Sequence, residues 1–446
     1  MSDPADLPAV DAAHRIREGR LTSEALVTAC LTRIDQLEPD VQAWTFLDRE
    51  QALAQARVAD ERAASGAPIG PLHGLPVGIK DIIATADMPT EDGTAANRGR
   101  QPDTDATCVA LLRAAGAVIM GKTVTTELAT RHPGKTRNPR NLNHTPGGSS
   151  SGSAAAVAAN MVPLALGTQT AGSVTRPASF CGIFGLKPTL GMIPRTGVTV
   201  QSHTLDTVGV YGRSLADVAL LANVLSSYDP ADEVSYPRPK FDLGASLGQP
   251  HATPPRLAFL KTTAWPQADS ASQTAILDFV AGLADACSAQ PMPAACTEVM
   301  AAQRTVQYAE NAHHFRAIEQ RARAQLTPTL QGILDEARTV TAADYLAAVR
   351  ARPGMYDAIA GLLDEFDAIL CLSACGPAPR GLESTGNPAF NGLWTFLGVP
   401  SITLPLLEVD GLPLGVQLIG RRREEAKLLT IADWLWRRCS GTRENR

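Results

Sequence analysis

Residues 145–173 read TPGGSSSGSAAAVAANMVPLALGTQTAGS. A Gly/Ser run leads into a helix pattern, GSAAAVAANM, and then a strand pattern, VPLALGT. Gly/Ser runs also make flexible tethers. A tether, though, is solvated and normally carries charge. From Arg140 to Arg176 there is no Asp, Glu, Lys or Arg between the two arginines. A charge-free run through loop, helix and strand patterns predicts the buried heart of a fold.

Outward from this window, the chain alternates helices and strands. Residues 8–65 read as helices (VDAAHRIREG, SEALVTACLTRIDQLEP, DREQALAQARVADERAA), an N-terminal helical segment packed on the core. LHGLPVGIKDII (72–83), AVIMGKT (117–123), RLAFLK (256–261), DAILCLSA (367–374), SITLPL (401–406) and LGVQLIG (414–420) read as strands. Residues 66–446 then form the main α/β unit, in one compact domain overall. Within it, 229–365 is a helix-rich insertion or lid, entered through a Pro-, Asp- and Gly-rich surface connection at 229–255. The alternation predicts an α/β fold with helices on both faces of a sheet.

Composition limits the function. The 446 residues are 44% hydrophobic and 19% charged, with a net charge of −5. Lys and Arg are scattered, so no nucleic-acid footprint is expected. No run is long and apolar enough to span a bilayer, and the N-terminus has no signal-peptide pattern. The eight cysteines form no C-x-x-C pair. They read as reduced thiols in a cytoplasmic protein. The eight histidines are dispersed, with no H-E-x-x-H, so no metal site is expected.

Two motif matches mislead. GAVIMGKT (116–123) fits the P-loop consensus. But AVIM is an apolar strand pattern where a phosphate-facing loop is required. Gly148-Ser149-Ser150-Ser151-Gly152 fits a nucleophile elbow centred on Ser150. An elbow needs a strand running straight into it, and KTRNPRNLNHTP before it is polar and proline-broken.

The stretch 167–182, GTQTAGSVTRPASFCG, offers a better site. A strand ends in a turn of small residues, and the N–H groups of Thr170, Ala171, Gly172 and Ser173 can converge on a developing oxyanion. Ser173 is then the nucleophile and needs a base. Lys80, in the apolar run GLPVGIKDII, is one: burial disfavours its charged form. The alternative is an ordinary ion pair of Lys80 with Asp81 or another carboxylate.

Together, GLPVGIKD, TRNPRNLNHTPGGSSSGSAAAVAA, LGTQTAGSVTRPASFCGIFGLKPT and GLPLGVQLIG resemble the amidase signature family, over roughly 65–205 and 385–440. The resemblance implies a three-layer α/β/α fold with a large mixed sheet. It also implies a Ser–cis-Ser–Lys triad: Ser173 as nucleophile, Ser149 as bridging serine after a cis Gly148–Ser149 bond, and Lys80 as base, with Ser150 a supporting hydroxyl. The implied reaction is acyl transfer to water from a small-molecule amide, anilide, ester or carbamate, with no cofactor, in a monomer or homodimer. The implied alternative is the glutaminase subunit of a tRNA-dependent amidotransferase complex. Gln169 departs from the Asp and Ala171 from the Gly of many members. Thr175 stands where many have Arg, and Arg176 follows it. At Arg176 the resemblance implies either a clamp for a substrate carboxylate or a structural salt bridge. Lys187 and Glu127 read as loop-holding, and Cys181 as a core filler. The Asn391–Trp394 stretch and the 303–320 helix read as pocket lining.

Overall fold

The computed structural model describes residues 3–250 and 253–440. Its centre is one mixed sheet of eleven strands among the described residues. In chain order these are β1 (Trp44–Leu47), β2 (Pro76–Lys80), β3 (Val118–Thr123), β4 (Leu164–Gln169), β5 (Phe184–Lys187), β6 (Thr207–Gly212), β7 (Leu257–Leu260), β8 (Cys287–Gln290), β9 (Ala368–Leu372), β10 (Ser401–Val409) and β11 (Leu412–Ile419). Across the sheet they lie in the order β1-β3-β2-β4-β6-β5-β10-β11-β9-β7-β8. Two parallel groups, β3-β2-β4 and β9-β7-β8, are joined through antiparallel pairings. Helices pack on both faces, as the α/β reading expects.

The N-terminal residues are more than a helical appendage. Helices Ser23–Val41 and Arg49–Ala64 are capped by Thr22, which accepts from the Ala25 N–H, and by Asp48, which accepts from the Gln51 N–H. Between them β1 pairs with β3 and joins the sheet. The stretch 229–365 is likewise built in: it supplies β7 and β8 besides its helices.

The charge-free window is the buried heart. From Thr145 to Thr175 every residue is buried except Ala158, Asn160 and Ala171, which are half-buried. The P-loop look-alike is β3, buried along its whole length. Helix Ser151–Ala158 lies directly on the β2/β3/β4 group. A side chain at Gly152 would stand 2.2 Å from the Ala43 carbonyl oxygen and 2.4 Å from the Val124 nitrogen, so only glycine fits there. The parallel strands β2 and β4 bring Lys80 and the Thr168–Ser173 segment together at their carboxyl ends, where open α/β sheets place their sites.

Candidate active site

Lys80 closes β2 and is fully buried. Its Nζ donates to Ser149 Oγ at 2.7 Å and to Thr168 Oγ1 at 2.7 Å. Burial holds its pKa well below the ordinary lysine value, against an opposing pull from the Asp206 carboxylate. Asp81, the next residue, is no partner to it. Asp81 faces Lys122 at 3.7 Å, so the ion-pair alternative for Lys80 belongs to Lys122 instead.

The Gly148–Ser149 peptide bond is cis. Around it each serine of the triple has a different task. Ser149 accepts from Lys80. Ser150 Oγ accepts from the Thr168 N–H at 3.2 Å and donates to the Thr168 carbonyl at 3.3 Å, bracing β4. Ser151 Oγ donates to the Gly147 carbonyl at 2.7 Å, closing the turn. Ser153 Oγ reaches the Leu166 carbonyl at 2.7 Å. Gly147 has φ 85°, with Pro177 and Phe180 closing on its Cα, which suits glycine alone. The Gly/Ser run is thus pinned at almost every residue.

Ser173 ends the turn after β4 and, at 8% exposure, is the most accessible of Lys80, Ser149 and Ser173. The carbonyls of this turn all point back into the protein. Gln303 Nε2 donates to Thr170 O at 3.4 Å, Thr395 Oγ1 to Ala171 O at 2.7 Å, the Arg176 N–H to Gly172 O at 3.1 Å and the Tyr211 hydroxyl to Ser173 O at 3.1 Å. The N–H groups of Thr170, Ala171, Gly172 and Ser173 have no protein acceptor among the described residues. Free N–H donors are one requirement of an oxyanion hole. No hydrogen bond joins Ser149 to Ser173 among the described residues, so only the Lys80–Ser149 link of the implied relay is formed.

Gln169 explains its own departure from the family pattern. Its Oε1 accepts from the Val174 and Thr175 N–H groups at 2.8 and 3.0 Å, at the start of helix Thr175–Cys181. Its Nε2 donates to Thr395 Oγ1 at 2.9 Å, and Thr395 in turn holds Ala171 O. A carboxylate could accept the two N–H groups but could not donate to Thr395.

Arg176 corrects the salt-bridge reading, because no carboxylate pairs with it among the described residues. Its Nη2 donates to the Gly148 carbonyl at 2.6 Å and to Thr385 Oγ1 at 3.3 Å. Nε and Nη1 are buried without a partner. Burial brings its pKa down to about 10.

Glu127 accepts from Thr94 Oγ1 at 3.0 Å and from Thr327 at both N–H and hydroxyl, tying loops 200 residues apart. Lys187 donates to the carbonyls of Pro188 and Val399 at 2.9 and 2.6 Å. Cys181 is buried, and its thiol is pushed up to about 12, which leaves it a filler. Of the expected lining, Gln303 reaches the turn, and Asn391 stands against Gly172, within 2.6 Å of where a Cβ would be. Trp394 is fully buried. Thr168, Asp206 and Thr395 went unsignalled in the sequence: each meets the site only through chain pairings that no local pattern encodes. Among the described residues there is no cluster of His, Cys, Asp and Glu able to hold a metal ion, and no helix is long and apolar enough to cross a membrane.

The Amidase family profile matches residues 25–429. The chain belongs to the amidase signature family. A glutamyl-tRNA(Gln) amidotransferase subunit of Chloroflexus aggregans is 35% identical to it over 95% of each chain. Among solved structures, a chain from the vestigial complex that reveals the origins of an s-triazine catabolic enzyme superposes with a TM-score of 0.90, at 28% identity over 97% of this chain and 98% of that one. The peptide amidase of Stenotrophomonas maltophilia superposes with a TM-score of 0.84, at 30% identity over 98% and 97%. The fold is therefore that of amidase signature enzymes, which hydrolyse C–N bonds.

Proposed function

We propose that this amidase-family hydrolase cleaves small-molecule amides, and anilides, esters and carbamates of similar shape, through an acyl-enzyme on Ser173. One observation carries the reading: a fully buried lysine with no carboxylate partner donates to the serine of a cis Gly–Ser bond at 2.7 Å. Neutral Lys80 takes the Ser149 proton as Ser149 takes that of Ser173, and Ser173 Oγ attacks the carbonyl carbon. The oxyanion lies against the N–H groups of residues 170–173. The relay then returns its proton to the leaving nitrogen, because an amide anion is a very poor leaving group. Water cleaves the ester by the same relay. In this reading the Ser149–Ser173 hydrogen bond forms in the substrate complex, since catalytic hydrogen bonds are often long without substrate.

Arg176 supports a narrower reading of substrate. A buried guanidinium with Nε and Nη1 unpartnered keeps donors free for a charge-assisted hydrogen bond to a substrate carboxylate. A malonamate-like substrate would supply one.

The decisive experiment screens the purified chain on acyl anilides, aliphatic amides, carbamates and malonamate. Mass spectrometry then looks for the acyl adduct on Ser173. Ser173→Ala abolishes turnover and adduct; a normal rate in that variant rejects the reading. Arg176→Gln raises KM for malonamate about tenfold or more while sparing neutral amides relative to it.

A second reading rests on the curated relatives, which are subunits of glutamyl-tRNA(Gln) amidotransferases. In that case the lone chain leaves simple anilides intact and works on glutamine within a complex.

A further inference from the structure

Asp206 has no part in the relay just described, yet it is buried at its edge. It immediately precedes β6, whose Thr207 pairs with Gln169 at the end of β4. Its Oδ1 accepts from Thr170 Oγ1 at 2.5 Å, and its Oδ2 accepts from the N–H groups of Gln201 and Ser202 at 2.8 and 2.9 Å. Burial raises its pKa above the ordinary carboxylate value, while two backbone donors on one oxygen and a hydroxyl on the other pull it back toward the ionised form. Thr170 is the first residue of the nucleophile turn. Beside it is a cavity of about 230 Å³ lined by Thr168, Thr170 and Asp206, and Thr168 is the second acceptor of Lys80.

Given the relay reading above, on which this rests, we propose that Asp206 is a positioning residue. It anchors the nucleophile turn through Thr170 and sets the electrostatic field at Lys80. Of the other charged groups on that cavity, Arg195 pairs with Asp232 at 2.9 Å, and His203 stands 3.3 Å from Glu233, which is exposed to solvent. Arg195 also donates to the Asp206 backbone carbonyl at 3.1 Å, fixing the residue from behind. Asp206 is the carboxylate whose charge acts on Lys80, favouring its protonated form against burial. The residue thus keeps the lysine proton affinity from falling too far for it to serve as a base.

The experiment measures kcat and KM against pH on a neutral anilide for the wild type, Lys80→Ala, Asp206→Asn, Thr170→Val and Thr170→Ser, with folding checked by circular dichroism. Lys80→Ala tests the relay alone: normal activity there sinks the relay, whatever Asp206 does. In Asp206→Asn the lysine loses a stabilising negative charge, so its pKa falls. The acidic limb of kcat moves to lower pH by about one unit. Thr170→Val lowers kcat about tenfold with the limb in place, and Thr170→Ser restores it. A folded Asp206→Asn enzyme with an unmoved limb overturns the electrostatic role. Equal kcat in Thr170→Val and Thr170→Ser overturns the anchoring role, and that pair decides the proposal if Asp206→Asn does not fold.

Discussion

Lys80 and Lys122 are both fully buried and sit on neighbouring parallel strands, with Ile79 opposite Lys122 and Lys80 opposite Thr123. That one-residue offset sends the two side chains to opposite faces of the sheet. On its face Lys122 meets the Ile83 carbonyl and Thr90 Oγ1 at 2.6 Å each, and Asp81 at 3.7 Å. On the other face Lys80 meets two hydroxyls and no carboxylate. Burial lowers both pKa values; the Asp81 charge, 3.7 Å away, offsets part of the fall at Lys122, and the Asp206 charge opposes it at Lys80 without a direct contact. In the proposed mechanism, the buried lysine that contacts an acid stays a structural cation, and the one that contacts only hydroxyls serves as the base.

The largest expected effect separates the two. Lys80→Met lowers kcat by at least about 10³-fold. Its melting temperature stays at or above wild type, because a desolvated amine is removed. Lys122→Met leaves Asp81 buried and unpaired, costing about 3 kcal/mol of stability, with the folded enzyme within about tenfold of normal kcat. Calorimetry and steady-state rates on both variants read this out. A Lys80→Met protein that melts below Lys122→Met breaks the comparison.

A smaller effect extends the contrast to Lys187, a third buried lysine held by carbonyls, whose pKa burial lowers to about 7. Its folded pKa lies below the unfolded value, so between the two the unfolded chain binds more protons. Stability from this group therefore rises with pH across that window. Urea midpoints should climb from about pH 7 to about pH 8.5, and less steeply in Lys187→Met. Equal slopes in the two proteins would show that Lys187 keeps its proton in the fold.

The smallest effect concerns the turn itself. Thr395→Val removes the hydroxyl that links Gln169 to Ala171 O, lowering kcat about three- to tenfold with KM for a neutral amide nearly constant. An unchanged kcat would mean that the remaining carbonyl contacts suffice to hold the oxyanion donors in place.

Much of this was legible in advance. The charge-free window is the buried centre, and β2, β3, β4, β7, β9, β10 and β11 fall on strand patterns read in the sequence. The strands β1, β5, β6 and β8 did not stand out. Each of β1, β5 and β8 has four residues, and β5 (FGLK) and β6 (TVGVYG) carry glycines that weaken a strand pattern. The 229–365 stretch read as an insertion because its helices dominate, while two short strands carry it into the sheet.

The sequence by itself determined which residues were available: a lysine in an apolar strand, small residues at two turns, and serines where side chains must be short. Those are local properties of composition and spacing. Tertiary structure alone decided their partners. Sheet register turned Lys80 away from Asp81 and toward Ser149, 69 residues on. It also set Asp206 beneath Thr170 and brought Thr395, 224 residues away, onto Ala171. Proton affinity and hydrogen bonding depend on the groups within a few ångströms of an atom, and here the chain supplies those groups from remote segments.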